Sequence, residues 1–221
     1  EVMGEFPVAT LADEMEEPGD GRVRALITIG GNPALSTPDS ERLEAALEDL
    51  EFMVSVDIYC NETTRHADVI LPPPSLLERG HYDTSFANLA VRNVSNYSPP
   101  VFDAKGPSES DILARLALVL GRQGAKADPT RLDRLLVRGL VESHVANPDS
   151  PLHGREVEDV LAQVGDRPGP EAILEVVLRM GPYGDGFDET RDGLSLRLLE
   201  ANPHGIDLGA LEPQIPNVLS T

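Results

Sequence analysis

The residues able to do chemistry in this chain stand in short polar runs at the ends of apolar ones. Gly30-Gly31-Asn32-Pro33 closes the run Ala25 to Ile29, and Ser36 and Thr37 follow at once. Paired glycines let backbone N–H groups approach a ligand with no side chain in the way. Ser36 or Thr37 is suited to cap the next helix, whose N-terminus favours an anion. Asp57 ends the following apolar run. In dinucleotide folds an acidic residue about 20 residues past the glycine loop binds a ribose hydroxyl. The glycines do not follow GxGxxG, which argues against an ordinary NAD site, and a strand–turn–helix corner with no ligand has the same local pattern.

Other chemistries have less to stand on. Cys60 is the only cysteine, so an internal disulfide and a CxxC zinc or iron–sulfur site are excluded. It reads as a structural or incidental thiol. His66 with Asp57 and Asp68 has metal-ligand residue types, but Asp68 is expected at the opposite strand end from Asp57. His81, His144, His153 and His204 are scattered and suit hydrogen-bonding loop positions. No Ser-His-Asp order and no GxSxG elbow is present.

The elements that must position these residues follow from periodicity. Phe6-Pro7-Val8 is expected to pin an acidic N-terminal segment, with a short helix over Leu11 to Glu16. Ala25–Ile29 is expected to be a buried parallel strand. Pro38 opens a helix whose apolar face is Leu43, Ala46, Leu47 and Leu50. Glu51 to Ile58 is the second strand, and a right-handed crossover makes the two parallel. A helical turn over 61–66 precedes a third buried strand, Ala67 to Leu71, which Pro72-Pro73-Pro74 must stop. Another turn of helix spans Ser75 to Glu78. Residues 84–100 read as loop and hairpin. Ser108 to Asp111 caps an amphipathic helix that Gly121 ends.

These landmarks, in this order, resemble the dimethyl-sulfoxide-reductase family of molybdopterin oxidoreductases, which includes formate dehydrogenases and nitrate reductases. The landmarks are Gly-Gly-Asn-Pro with Ser36, Val56-Asp57-Ile58-Tyr59, Asn61-Glu62-Thr63-Thr64, Ala67-Asp68-Val69-Ile70-Leu71-Pro72, Glu78 and the capped helix at Glu109. The resemblance covers residues 22–122. It implies an α/β, Rossmann-like parallel-sheet domain that holds the guanosine half of one molybdopterin guanine dinucleotide. The implied contacts are Gly31, Asn32, Pro33, Ser36, Val56, Asp57, Pro73 and Glu109. Guanine offers adjacent N1–H and NH2 donors, which suit a carboxylate, Asp57 or Glu109. Asn32 and Ser36 suit ribose hydroxyls or phosphate, and the glycine corner suits a pyrophosphate oxygen. The family's metal ligand and its iron–sulfur cysteines have no counterpart here, so no catalytic and no metal-binding residue is expected in this chain.

Beyond Lys126 the resemblance fades. Asp128-Pro129-Thr130 opens a helix, 147–151 breaks it, and helices are expected over Val157–Val164, Pro170–Met180 and Leu194–Leu199. The runs 181–187 and 202–209 read as specific polar loops that wrap the domain or line a substrate funnel. Arg65, Arg92 and Arg179 suit phosphate or, more plainly, surface ion pairs. The expected organisation is a cofactor-binding domain over 1–125. A mostly helical, loop-rich extension over 126–221 would link to a missing C-terminal domain.

Eighteen basic against 38 acidic residues give a net charge of −20. A nucleic-acid or anionic-membrane surface would repel such a chain, whereas solubility is served by it. No apolar run approaches the ~20 residues that span a bilayer, and no signal peptide is visible, so a cytoplasmic location is expected. The expected function is that of an inactive fragment of a molybdenum- or tungsten-dependent, formate-dehydrogenase-like oxidoreductase. Its partners would be missing N- and C-terminal domains, an iron–sulfur cluster outside the fragment and an electron-transfer subunit. The alternatives are a non-catalytic α/β interaction module that has lost its nucleotide and a small metal-dependent hydrolase using His66.

Overall fold

A computed structural model describes residues 5–84, 89–124 and 126–211. The chain divides into two units, one formed by the described residues of Glu1–Ser75 and Ala104–Ile112, the other by those of Leu76–Asp103 and Leu113–Thr221.

The first unit is a three-stranded parallel sheet in the order β1 (Ala25–Ile29), β2 (Phe52–Val56), β3 (Val69–Ile70). Ala25 pairs with Phe52 and Ile29 with Val56, so β1 and β2 end together. Period-two alternation then puts Leu26 and Met53 on one face. There they pack with Met15, Leu43 and Leu47, from helices α1 (Leu11–Glu16) and α3 (Ser40–Glu48). The N-terminal segment is pinned by Leu11 and Met15, not by Phe6 and Val8, which are exposed.

Only β2 is buried along most of its length. In β1, Ile27 and Ile29 are 39% and 52% exposed, and Val69 and Ile70 of β3 are also exposed. The expectation of buried outer strands fails because helices cover the Leu26–Met53 face, while Ile27, Ile29 and Phe52 alternate onto the other. β3 is also shorter than its apolar run. Asp68 Oδ2 accepts from Met53 N–H at 2.7 Å at its head, and Pro72 follows directly on Leu71, whose N–H donates to Ser55 O.

The second unit has two cores. α5 (Pro129–Ala146), α6 (Val157–Val164) and α7 (Gly169–Met180) enclose Val141, Leu152, Val160, Val176 and Phe187. Tyr97, Leu178, Leu194, Leu196 and Leu199 form the other, which includes α8 (Leu196–Glu200). β4 (His81–Tyr82) pairs antiparallel with β6 (Tyr97–Ser98), and β5 (Arg92–Ser95) with β7 (Ile206–Ala210). Of the expected loop and hairpin in 84–100, residues 85–88 lie outside the described residues, and among the others β5 pairs with distant β7 and β6 with β4. Much of the expected polar loop at 202–209 is strand β7, whose Ile206 and Leu208 pack on the second core. The stretch Ser75 to Glu78 makes a turn, not a helix.

Helix α4 (Glu109–Leu120) runs from the first unit into the second. Its start is a reciprocal cap: Ser108 Oγ accepts from Asp111 N–H at 3.1 Å, and Asp111 Oδ2 accepts from Ser108 N–H at 3.4 Å. α5 is capped as expected, Asp128 Oδ1 accepting from Thr130 N–H at 3.0 Å.

Candidate functional site

The carboxyl ends of β1 and β2 build one edge. Gly30 turns the chain there with φ of +59°, in the left-handed region that favours glycine. Its N–H continues the ladder to Val56 O at 2.9 Å. A Cβ at Gly31 would meet nothing nearer than 3.9 Å, so the position is uncrowded. The next two N–H groups, of Gly31 and Asn32, have no acceptor among the described residues.

The corner then enters α2 (Pro33–Ser36), a single turn begun by Pro33. Ser36 and Thr37 were expected to cap the helix after the corner. Standing at the end of this turn, they instead donate their hydroxyls back to Asn32 O, at 3.0 Å, and Pro33 O, at 2.8 Å. The N-cap of α3 is Asp39, in a left-handed conformation, and Pro38 precedes that helix.

Behind the corner lies the loop that follows β2. Buried Asp57 accepts from Tyr59 N–H at 2.9 Å and from Asn61 Nδ2 at 3.3 Å. Asn61 Oδ1 in turn accepts the N–H groups of Thr63 and Thr64 at 3.0 and 2.9 Å. Thr63, fully buried, donates its hydroxyl to Asn32 Oδ1 at 2.7 Å and accepts from Ala34 N–H at 3.0 Å. The amide Nδ2 of Asn32 donates to Glu62 Oε2 at 2.7 Å. That bond is the main cause holding the Glu62 carboxyl below the usual carboxylate range.

One hydrogen-bonded chain therefore runs from Asn32 through Thr63 and Asn61 to Asp57. Of the residues singled out in the sequence, Gly31, Asn32, Pro33, Ser36, Val56 and Asp57 are brought together here. Pro73 follows β3, which is parallel and leaves the sheet at the same edge. Glu109 sits half-buried in the first turn of α4. The side chains of Asn61, Glu62 and Thr63 are additions. Their signal was a run of four polar residues, four positions beyond Asp57, that served only as a landmark.

Asp68 lies at the start of β3 against Met53, at the opposite end of the sheet from Asp57. No cluster of three metal-ligating side chains occurs among the described residues. Each of the three noted arginines is in an ion pair: Arg65 with Glu44, Arg92 with Asp207, and Arg179 with Asp185. The last of these is buried, not a surface pair.

A family model described as molybdopterin oxidoreductase matches residues 2–118, more than half of the chain and all of this edge. The chain belongs to the molybdopterin oxidoreductase family.

Named relatives within reach of this member are enzymes. The assimilatory nitrate reductase catalytic subunit of Bacillus subtilis is 33% identical over 109 residues, which is 49% of this chain and 15% of that protein. The dimethyl sulfoxide/trimethylamine N-oxide reductase of Rhodobacter capsulatus is 31% identical over 130 residues, 53% and 16% respectively. The F420-dependent formate dehydrogenase subunit alpha of Methanocaldococcus jannaschii is 37% identical over 83 residues, 38% and 12%. The matched part spans under a fifth of each of these relatives. No helix among the described residues is long and apolar enough to cross a membrane.

The residues present fit an oxygen-rich, phosphate-bearing part of a molybdopterin cofactor. Unpaired main-chain donors, an uncrowded glycine and a nearby carboxylate make a donor set suited to phosphate or hydroxyl oxygens and an acceptor set suited to a base.

Proposed function

We propose that this chain is the part of a molybdenum- or tungsten-dependent oxidoreductase that binds the guanosine portion of one molybdopterin guanine dinucleotide. The carrying observation is the pair of consecutive N–H groups, at Gly31 and Asn32, that lack a protein acceptor on the edge where Asp57 also stands. Gly31 and Asn32 would hold a phosphate or ribose oxygen through their main-chain N–H groups, Pro33, which has no N–H, would line the site by van der Waals contact, and Ser36 would add a hydroxyl. Val56 and Pro73 would bound the site, and Asp57 or Glu109 would accept from the guanine N1–H and NH2. The bound cofactor supplies the two-electron chemistry of the parent enzyme at its metal, with formate a candidate substrate. This chain's residues bind and orient the far end. Residues 1–125 would carry that role, and 126–221 would lead to a further domain.

The partners would be the remaining domains of the parent polypeptide, among them one with an iron–sulfur cluster, and an electron-transfer subunit. The free thiol Cys60 suits a reducing, cytoplasmic setting. Alone, the chain would turn over no substrate. Calorimetric titration of the chain with guanosine diphosphate tests the reading. We expect saturable binding, weakened at least about tenfold by Asp57→Ala, which removes a charge-assisted bond worth ~1.5–3 kcal/mol, and weakened also by Asn32→Ala, which removes the side chain that braces the main-chain donors through Thr63 and Glu62. Equal affinity in all three proteins removes the site assignment.

A second reading, a nucleotide-free interaction module, is favoured by one observation: the apolar sheet face that exposes Ile27, Ile29 and Phe52. A melting temperature unmoved by saturating nucleotide would favour it, because a ligand that binds only the folded form must stabilise that form.

A further inference from the structure

Thr63 is the one fully buried side chain that touches the Asn-Pro corner twice. Its hydroxyl donates to Asn32 Oδ1 at 2.7 Å and accepts from Ala34 N–H at 3.0 Å. No other acceptor for Ala34 N–H appears among the described residues. Thr63 is itself held by Asn61 Oδ1, which Asp57 holds through Asn61 Nδ2. Asn32 thus has its Oδ1 bonded to Thr63 and one Nδ2 hydrogen bonded to Glu62, so both ends of its side-chain amide are braced by protein while its main-chain N–H faces no protein acceptor among the described residues.

We infer that Thr63 is the positioning residue of the nucleotide site: its hydroxyl clamps the Asn32–Ala34 corner so that the N–H groups of Gly31 and Asn32 present one fixed donor pair to a phosphate or ribose oxygen. The inference rests on the guanosine reading above for its ligand, but the clamp itself is a property of the free protein. A fixed pair binds better than a mobile one because the ordering cost is already met before the ligand arrives. Asn32 then acts as a strut, and its side chain and the Thr63 hydroxyl belong to one device rather than to two ligand contacts.

The test uses the whole chain, with guanosine diphosphate as probe, and compares Thr63→Val, Thr63→Ser and Asn32→Leu. Valine keeps the shape of threonine and removes the hydroxyl, and serine keeps the hydroxyl. We expect Thr63→Val to weaken nucleotide binding about tenfold and to speed amide exchange at Ala34 about tenfold without nucleotide, in line with the loss of a hydrogen bond near 1.4 kcal/mol. Thr63→Ser should stay within about threefold of the parent on both measures. Combining Thr63→Val with Asn32→Leu should cost no more than the worse single change, since coupled partners are not additive.

Unchanged Ala34 exchange in folded Thr63→Val overturns the clamp, as does a Thr63→Ser protein as impaired as the valine variant. If Thr63→Val does not fold, Asn32→Leu cuts the Thr63–Asn32 bond from its other end and leaves the Ala34 bond in place; it is read by amide exchange at Gly31 and Asn32, which should speed about tenfold, and unchanged exchange there overturns the clamp. If the parent chain fails to bind the nucleotide, the guanosine reading falls, and Ala34 exchange alone still decides the clamp.

Discussion

Glu62 shows how much a surface residue can matter when its partner is a strut. Its carboxylate accepts from Asn32 Nδ2, and this bond chiefly holds its pKa below the ordinary carboxylate value. A group depressed in the folded state stabilises that state above its unfolded pKa, and the contribution is lost as pH falls through the folded pKa. The difference in melting temperature between the parent and Glu62→Gln should therefore be present at pH 7. It should shrink below about pH 4.3, the unperturbed glutamate value, and vanish at lower pH in a thermal scan series. Asp57, Asn32 and Ser36 were legible from residue type and from their place at the ends of apolar runs. The work of Ser36 and Thr37 was not. Whether a hydroxyl caps forward or bonds back depends on where a helix ends, and α2 ends after four residues. Thr63 was invisible for another reason: a threonine in a polar run carries no periodic mark of complete burial.

The long helices were plain in sequence because apolar periodicity, Asp128-Pro129 and the glycine stops agree with one another. The short strands of the second unit were not. Ile206 and Leu208 alternate over too few residues to stand out, and the partner of β7 lies more than a hundred positions away. The loop after α7 is a comparable case. Its residues 181–187 looked too specific for filler, and the structure supplies the reason. Asp185 receives both Arg179 Nε at 2.8 Å and Arg179 Nη2 at 2.9 Å, while the guanidinium lies 4.1 Å from the centroid of the Phe187 ring. Glu175, also buried, accepts from Leu196 N–H at 2.7 Å and so ties α8 to α7. A Cβ at Gly184 would fall 2.1 Å from Arg179 O, which requires glycine there. Removing one partner of a buried pair leaves the other uncompensated, at a cost of about 3–5 kcal/mol. We expect Asp185→Ala to lower the stability of the second unit toward the small end of that range, because Glu175 remains near Arg179. Urea unfolding of the variant against the parent measures it.

At the scale of the whole chain, two units each have apolar cores of their own, and the corner, Asp57 and Glu109 all lie in the first. Scanning calorimetry with guanosine diphosphate at a hundred times its dissociation constant should raise the transition of the first unit by the equivalent of about 2.7 kcal/mol. The transition of the second unit should stay in place, and a shift confined to the second unit would contradict the site. Composition excluded classes and no more: one cysteine, no long apolar run and a charge of −20 argue against disulfide, cysteine-cluster, membrane-span and nucleic-acid readings, while the family was legible only in the order of the motifs from Gly30 to Glu109. The pairing of β5 with β7 has a consequence in time. The Arg92–Asp207 bond spans 115 positions, and at a synthesis rate of about 5–20 residues per second the second strand emerges roughly 6–23 s after the first. During that interval the nascent chain offers β5 as an unpaired edge beside Val91, so its yield on expression depends on what meets that edge before residue 210 is made.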